Sequence, residues 1–199
     1  MHVLLVKTSS LGDVIHNLPV VSDLLRMHPD VVIDWCVEES FADIPRLHPG
    51  VRAVIPVALR RWRKQPLTAA TWHEIGAARR ALRETPYDVV LDTQGLVKSA
   101  LITAQARGRR CGYASGVARE PLAARFYDRS FVIPTNANAV LRNRWLAAAA
   151  FDYPVDLPLD YGIAAPDLPL PWLAAPRHAV LLTATSRDDK LWAEDAWGE

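Results

Sequence analysis

Short apolar runs alternate with stretches of helical periodicity from residue 2 to residue 150, and no other feature restricts the fold as much. Val3-Leu4-Leu5-Val6 opens the series and is closed at once by Lys7. Comparable runs follow at Val31–Val37, Val51–Val57, Tyr87–Asp92 and Phe131–Ile133. Short runs of this kind suit strands buried on both faces. Between them, helical spacing is readable over 14–27, 41–47, 72–84, 96–107 and 139–150. In the first of these, Pro19 lacks the N–H that a helix interior needs, which predicts a kink or a second start. Strands alternating with helices pair in parallel, so the expected fold class is α/β, a Rossmann-like sheet covered on both faces. Residues 60–64 read as a basic loop ahead of the helix over 72–84, and the pattern loosens after Arg109–Tyr113.

Residues 152–176 change character, with Pro at 154, 158, 166, 169, 171 and 176. Such a stretch cannot hold a regular helix and reads as an interdomain linker. The expected organisation is a first domain over 1–151, a linker over 152–176, and the start of a second α/β domain over 177–199. A strand over 178–184 without sheet neighbours would present an unpaired edge, which predicts poor solubility or self-association.

Half of the chain is hydrophobic, enough for a proper core, and Lys and Arg total 23 against 22 for Asp and Glu. That balance argues against bulk binding to nucleic acid. Cys36 and Cys111 stand in unrelated contexts and form neither a disulfide framework nor a CxxC zinc motif. The six histidines show no metal-ligand spacing. No apolar stretch approaches the roughly 18 residues that would cross a bilayer. The expected location is the cytoplasm, with any membrane contact peripheral.

Ligands of open α/β sheets sit at the carboxyl ends of strands, where helix N-termini present free N–H groups. The loop Thr8-Ser9-Ser10-Leu11-Gly12-Asp13 is therefore placed for function. A dinucleotide fingerprint would require G-x-G-x-x-G, and only Gly12 is present, which excludes a nicotinamide or flavin site of that type. There remains a carboxylate, Asp13, opening a helix beside two serines. Its plainest role is a helix cap worth about 1 kcal/mol. Ser9 and Ser10 can equally satisfy backbone groups, and Gly12 can simply permit a turn.

Val6-Lys7-Thr8-Ser9-Ser10-Leu11-Gly12-Asp13-Val14-Ile15-His16, Arg60-Arg61-Trp62-Arg63-Lys64 and Asp92-Thr93-Gln94-Gly95-Leu96-Val97-Lys98-Ser99 together resemble the lipopolysaccharide heptosyltransferases of glycosyltransferase family 9, type I in particular. Ala118-Arg119-Glu120-Pro121-Leu122-Ala123 and Thr185-Ser186-Arg187-Asp188-Asp189-Lys190 extend the likeness. The resemblance implies a GT-B architecture, with acceptor on the N-terminal half and nucleotide sugar on the C-terminal half. It implies inverting, metal-independent transfer of L-glycero-D-manno-heptose from ADP-heptose to Kdo of Kdo2-lipid A. ADP-heptose is the donor substrate, no cofactor is implied, and the enzyme would work at the cytoplasmic face of the inner membrane. Family chains continue well beyond Lys190, so the sequence is expected to be an incomplete enzyme by itself.

The resemblance makes Asp13 the general base, and an ionised carboxylate at a helix N-terminus suits that role. It places Ser9, Ser10, Gly12, Arg60, Arg61, Arg63, Lys64, Gln94, Lys98 and Arg119 on the acceptor side. Cations in that number match an acceptor bearing carboxylates and phosphates, although charge runs are often just solvated. Arg119 could instead pair with Glu120, and Lys98 could be a helix-surface lysine. Thr185, Ser186 and Lys190 are implied contacts to the nucleotide sugar, where they would stabilise the departing diphosphate. Asp188 and Asp189, set between Arg187 and Lys190, suggest ion pairs rather than a metal site. Other readings are a transferase acting on the first core heptose, and a non-catalytic module that binds lipid A precursors through Arg60–Lys64.

Overall fold

The computed structural model describes residues 1–164, 179, 191–193 and 196. Met1–Ala165 form one compact unit and Pro166–Glu199 a second. In the first unit six parallel strands, β1 (His2–Val6), β2 (Val32–Glu38), β3 (Val51–Val57), β4 (Pro86–Asp92), β5 (Arg107–Tyr113) and β6 (Arg129–Phe131), lie in the order β3-β2-β1-β4-β5-β6. This is the expected Rossmann-like α/β fold.

The central strand shows why its sequence is apolar at successive positions. Val3 and Leu5 point into one core layer with Trp35, Leu91, Leu18 and Leu146, while Leu4 and Val6 point into the other with Cys36, Val90, Leu82 and Ile102. The first layer is closed by α1 (Leu11–Ile15), α2 (Leu18–Met27), α3 (Asp43–Arg46) and α7 (Ala139–Phe151). The second is closed by α4 (Leu59–Lys64), α5 (Ala69–Glu84) and α6 (Val97–Thr103). Pro19 marks a second start: it sits in the first turn of α2, where a missing N–H costs nothing.

Two segments differ from the sequence expectation. Residues 60–64 are not a loop but most of α4. Arg, Trp and Lys are all compatible with helix, and tertiary partners fix this one. Trp62 Nε1 donates to Glu74 Oε2 at 2.7 Å, and Arg61 bridges Glu39 and Glu74 at 2.9 and 2.8 Å. Arg107–Tyr113, which begins where the helix expected over 96–107 ends and is given to no strand by the sequence, is β5, whose Arg107-Gly-Arg-Arg start is charged and largely exposed. Only Cys111, Gly112 and Tyr113 at its inner end are buried. Gly112 is required there, because a Cβ would fall 2.3 Å from the Tyr127 ring.

The first part of the proline-rich stretch is strapped onto the α/β unit. Arg144 and Asp23 form a buried bidentate pair at 2.7 and 3.0 Å between α7 and α2, and Arg144 Nη2 also donates to the Leu157 carbonyl at 2.6 Å. Further along, Ala164 N donates to Leu47 O at 2.8 Å. The strand expected over 178–184 lies outside the described residues apart from Ala179. No helix among the described residues is long and apolar enough to cross a membrane.

Candidate active site

The strand order dictates where a ligand can enter. From β1 the chain builds outward through β2 to β3, then returns to place β4 on the other side of β1. The loops leaving β1 and β4 therefore diverge, opening a crevice at their carboxyl ends. The two loops are tied across its floor. Thr8 donates from both N and Oγ1 to Gln94 Oε1 at 2.7 Å, and Lys7 Nζ donates to the Thr93 carbonyl at 2.8 Å. Gln94 is thus a buried clip between the loops. Ser9 Oγ receives Lys98 Nζ at 2.9 Å and Gln94 Nε2 at 3.4 Å.

Asp13 stands at the third position of α1 and closes a capping box with Ser10. Its Oδ2 accepts from Ser10 N at 3.0 Å and Ser10 Oγ at 3.1 Å, and its Oδ1 accepts from Arg119 Nη2 at 3.0 Å. The side chain remains 16% exposed, so the carboxylate faces the crevice rather than a packed interior. Burial alone would raise its pKa, but the Ser10 N–H bond and the charges of Lys7 and Arg119 prevail and hold it below the usual range. The cap and the open carboxylate are the same group. A Cβ on Gly12 would meet nothing within 4 Å, so glycine there is not demanded by packing and leaves open space beside Asp13.

Arg119 pairs with Asp13 and not with Glu120, whose Oε2 instead accepts the first N–H of α6, from Val97, at 2.6 Å. Its position follows from the turn after β4. Asp92 Oδ1 accepts from Gln94 N and Gly95 N at 2.8 and 3.2 Å, while Tyr127 OH donates to its Oδ2 at 2.8 Å. Gly95, at φ +68°, then offers its carbonyl to Glu120 N at 3.0 Å. A side chain at that φ is strained by about 1–2 kcal/mol, and a Cβ would also press the Tyr113 ring at 3.2 Å. Gly95→Ala is expected to lower stability by about that amount and to displace Arg119. Urea unfolding midpoints check the first effect, and the second appears as a changed Arg119 side-chain resonance.

The cationic segment divides in two. Arg60, Arg63 and Lys98 line a cleft of about 340 Å³ with Ser9, Glu38 and Leu59. Glu38 Oε1 accepts the Arg60 N–H at 3.1 Å, and the Arg60 guanidinium stacks 5.0 Å over Phe41. Arg61 faces elsewhere, held by its two glutamates, and it lines a neighbouring hollow with Lys64, Glu39 and Gln65. Ser9 joins the cleft to Asp13 through the next residue in the chain. Thr185, Ser186 and Lys190 lie outside the described residues.

Sequence reasoning passed over Lys7, which is 2% exposed beneath Asp13. Its Nζ also lies 3.5 Å from Asn143 Oδ1. Desolvation pushes its pKa down to about 8, against the opposing pull of Asp13. The one signal available was a lysine placed directly after a wholly apolar strand, at the end of the sheet where ligands bind. Arg142 and Tyr113, stacked at 5.2 Å, line the same polar recess.

The family model for glycosyltransferase family 9 (heptosyltransferase) matches residues 75–199. Lipopolysaccharide heptosyltransferase 1 of Salmonella typhimurium is 47% identical over 203 residues, covering all of this chain and 63% of that protein. The Pseudomonas aeruginosa protein of the same name is 46% identical, with 56% of its length covered. The structure of E. coli heptosyltransferase WaaC with ADP-2-deoxy-2-fluoro heptose superposes at a TM-score of 0.92 with 46% identity, covering 99% of this chain and 63% of that one. E. coli ADP-heptose lps heptosyltransferase II, 22% identical at a TM-score of 0.61, shares the fold. The chain spans 63% or less of the length of these curated relatives. By its family match and its identity over its whole length, the chain belongs to glycosyltransferase family 9, the heptosyltransferases.

Proposed function

We propose that this chain supplies the acceptor side of an inverting heptosyltransferase, which moves L-glycero-D-manno-heptose from ADP-heptose to a Kdo hydroxyl of Kdo2-lipid A. The observation that carries the reading is a partly open Asp13 carboxylate at the crevice, held by Ser10, whose neighbour Ser9 lines a cleft with Arg60, Arg63 and Lys98. An acceptor with carboxylates and phosphates fits such a cleft, because guanidinium groups bind those anions bidentately. The same charges favour peripheral docking on an anionic leaflet at the cytoplasmic face of the inner membrane.

In the transfer, the acceptor oxygen attacks the anomeric carbon of heptose from the face opposite the diphosphate. The new C–O bond forms as the bond to the phosphate oxygen breaks, ADP leaves, and the acceptor's hydroxyl proton passes to Asp13. A carboxylate with a depressed pKa is a weak base, sufficient because the hydroxyl becomes strongly acidic only as its bond to carbon forms. Arg119 gives the site a switch in basicity. When an acceptor carboxylate draws its guanidinium away, Oδ1 loses its ion-pair partner and is free to receive the proton. Ser10 keeps Oδ2, and with it the orientation of the carboxylate. Thr185, Ser186 and Lys190 are proposed for the leaving diphosphate.

The divided cationic segment provides the test. In the full-length enzyme, Arg63→Ala is expected to raise KM for Kdo2-lipid A by about tenfold or more, the loss of one charge-assisted anion contact. Arg61→Ala is expected to change it by less than about threefold, since exposed ion pairs contribute little. Equal effects of the two would place the acceptor elsewhere. Comparing rates on Kdo2-lipid A with rates on its heptosylated product separates this acceptor from the first core heptose.

A further inference from the structure

Lys7, Thr93, Tyr113, Arg119, Arg142 and Asn143 converge where β1, β4 and β5 end against α7. They line a polar recess of about 20 Å³, room for one atom the size of a water oxygen. The recess shares no lining residue with the cationic cleft. Gln94 stands between the two, lining the recess while its Nε2 donates to Ser9 of the cleft at 3.4 Å. Three cations and no carboxylate line the recess. The nearest acids are already engaged, Asp13 by Ser10 and Arg119, and Asp92 by Tyr127 and the turn after β4. Donors are left over. Thr93 is 1% exposed, and among the described residues neither its Oγ1 nor Arg142 Nε has a hydrogen-bond partner. Lys7 Nζ spends two of its three N–H groups, on the Thr93 carbonyl and on Asn143 Oδ1. That Oδ1 also accepts from Tyr113 OH at 3.3 Å, which fills both its lone pairs. Burial depresses the Lys7 pKa, and Arg119 and Arg142 depress it further against the pull of Asp13 and Asp92. Spare donors among three cations suit one oxygen that carries lone pairs and negative charge. A water would bring two further hydrogens to a lining already rich in donors, and a tetrahedral phosphate is too large. A planar carboxylate can enter with one oxygen.

We propose that this recess is a carboxylate site, separate from the cationic cleft, in which Lys7, Thr93 and Arg142 hold one oxygen of the acid group on the sugar whose hydroxyl reacts. The inference rests on the acceptor reading above and deepens it: the cleft takes the remote anions, and the recess reads the acid function of the reacting sugar itself. Arg119 links recess and base. It lines the recess and pairs with Asp13 Oδ1, so a carboxylate seated there offers its guanidinium a second anion as Oδ1 is released. Lys7, Thr93 and Arg142 thereby determine specificity. A neutral sugar in the same place leaves buried donors unpaired, and that penalty falls on recognition.

The test assays the full-length enzyme on a soluble Kdo acceptor and on the same acceptor with the carboxyl of the reacting sugar reduced to an alcohol. The native enzyme is expected to prefer the acid by about a hundredfold in kcat/KM, the scale of losing a charged partner from buried donors. Thr93→Val, which keeps the shape and removes one O–H, should cut that preference by about tenfold, and Arg142→Met by at least as much. A merely structural role would lower both rates together and leave the preference as it was. A native preference near one overturns the inference, as does a preference that survives both variants or is lost in Arg63→Ala instead. Nuclear magnetic resonance of this chain gives an independent reading. Formate is expected to shift the Arg142 Nε–H resonance saturably, and to bind at least about fivefold more weakly to Thr93→Val. A resonance that formate leaves unmoved assigns the recess to water and overturns the inference. Formate binding without an acid preference in transfer overturns it too, making the recess a site for free small anions. Absence of transfer to either acceptor sinks the acceptor reading, while the formate result still decides whether the recess binds a carboxylate.

Discussion

In the full-length enzyme, Asp13→Asn is expected to lower kcat for heptose transfer by about a thousandfold, the mid-range contribution of a positioned general base. The substitution keeps the shape of the side chain, and its amide oxygen can still accept from Ser10 N and Ser10 Oγ, so the first turn of α1 stays capped. What disappears is the proton acceptor. The new NH2 group would face the Arg119 guanidinium, donor against donor, and release it toward the crevice. Acceptor affinity should therefore hold or improve while turnover collapses, a split between KM and kcat that a folding defect would not give. Steady-state rates over a range of Kdo2-lipid A, with thermal unfolding as the control for folding, check both parts. Turnover within about tenfold of the native enzyme would take the carboxylate out of the reaction.

The largest effect on stability is expected at the buried ion pair between α7 and α2. Arg144→Ala should cost about 3–5 kcal/mol, the usual penalty for leaving one partner of a buried ion pair unpaired. Asp23 is 1% exposed and would be left with neither guanidinium nor water, and the Leu157 carbonyl would lose its donor as well. The strap over residues 157–164 should then loosen, taking with it the cover over His48, against which Gly162 is packed too tightly to admit a Cβ. Urea denaturation measures the first effect and amide exchange in the strap the second. Replacing the pair together, Asp23→Leu with Arg144→Met, should recover most of the loss, because an apolar pair needs no partner. A loss below about 1 kcal/mol in the single variant would mean that water reaches Asp23.

The fold was readable where burial is symmetrical. β1, β2 and the inner half of β4 announce themselves because both faces of each are covered, whereas β3, at the sheet edge and only partly buried, is betrayed by its valines and isoleucine. β5 escaped notice for the converse reason: at its exposed edge the strand is arginine and glycine, and only its last three residues enter the core. The segment at 60–64 read as a loop because local charge density hides a helix whose fixing contacts, Glu39 and Glu74, lie 22 and 13 residues from Arg61. At the site, Asp13, Ser10 and the Ser9 bridge were visible in one loop, since sequence neighbours at a strand–helix junction are necessarily spatial neighbours. The partner of Arg119 was not: it depends on the turn set by Asp92 and Gly95, more than a hundred residues after Asp13 in its outcome. Lys7 was hidden by its ordinary look, because the sequence does not say that the end of β1 is roofed by Thr93 and Asn143.

The central claim is that Asp13 waits ionised in the grip of Arg119 and is freed by the acceptor. A carbon-13 titration of the Asp13 carboxyl in the full-length enzyme, with and without a soluble Kdo acceptor, tests it most directly. In the free enzyme the midpoint should fall below the ordinary aspartate value of about 3.9, and bound acceptor should move it upward. A midpoint at or above the ordinary value in the free enzyme, unchanged by acceptor, would contradict the account.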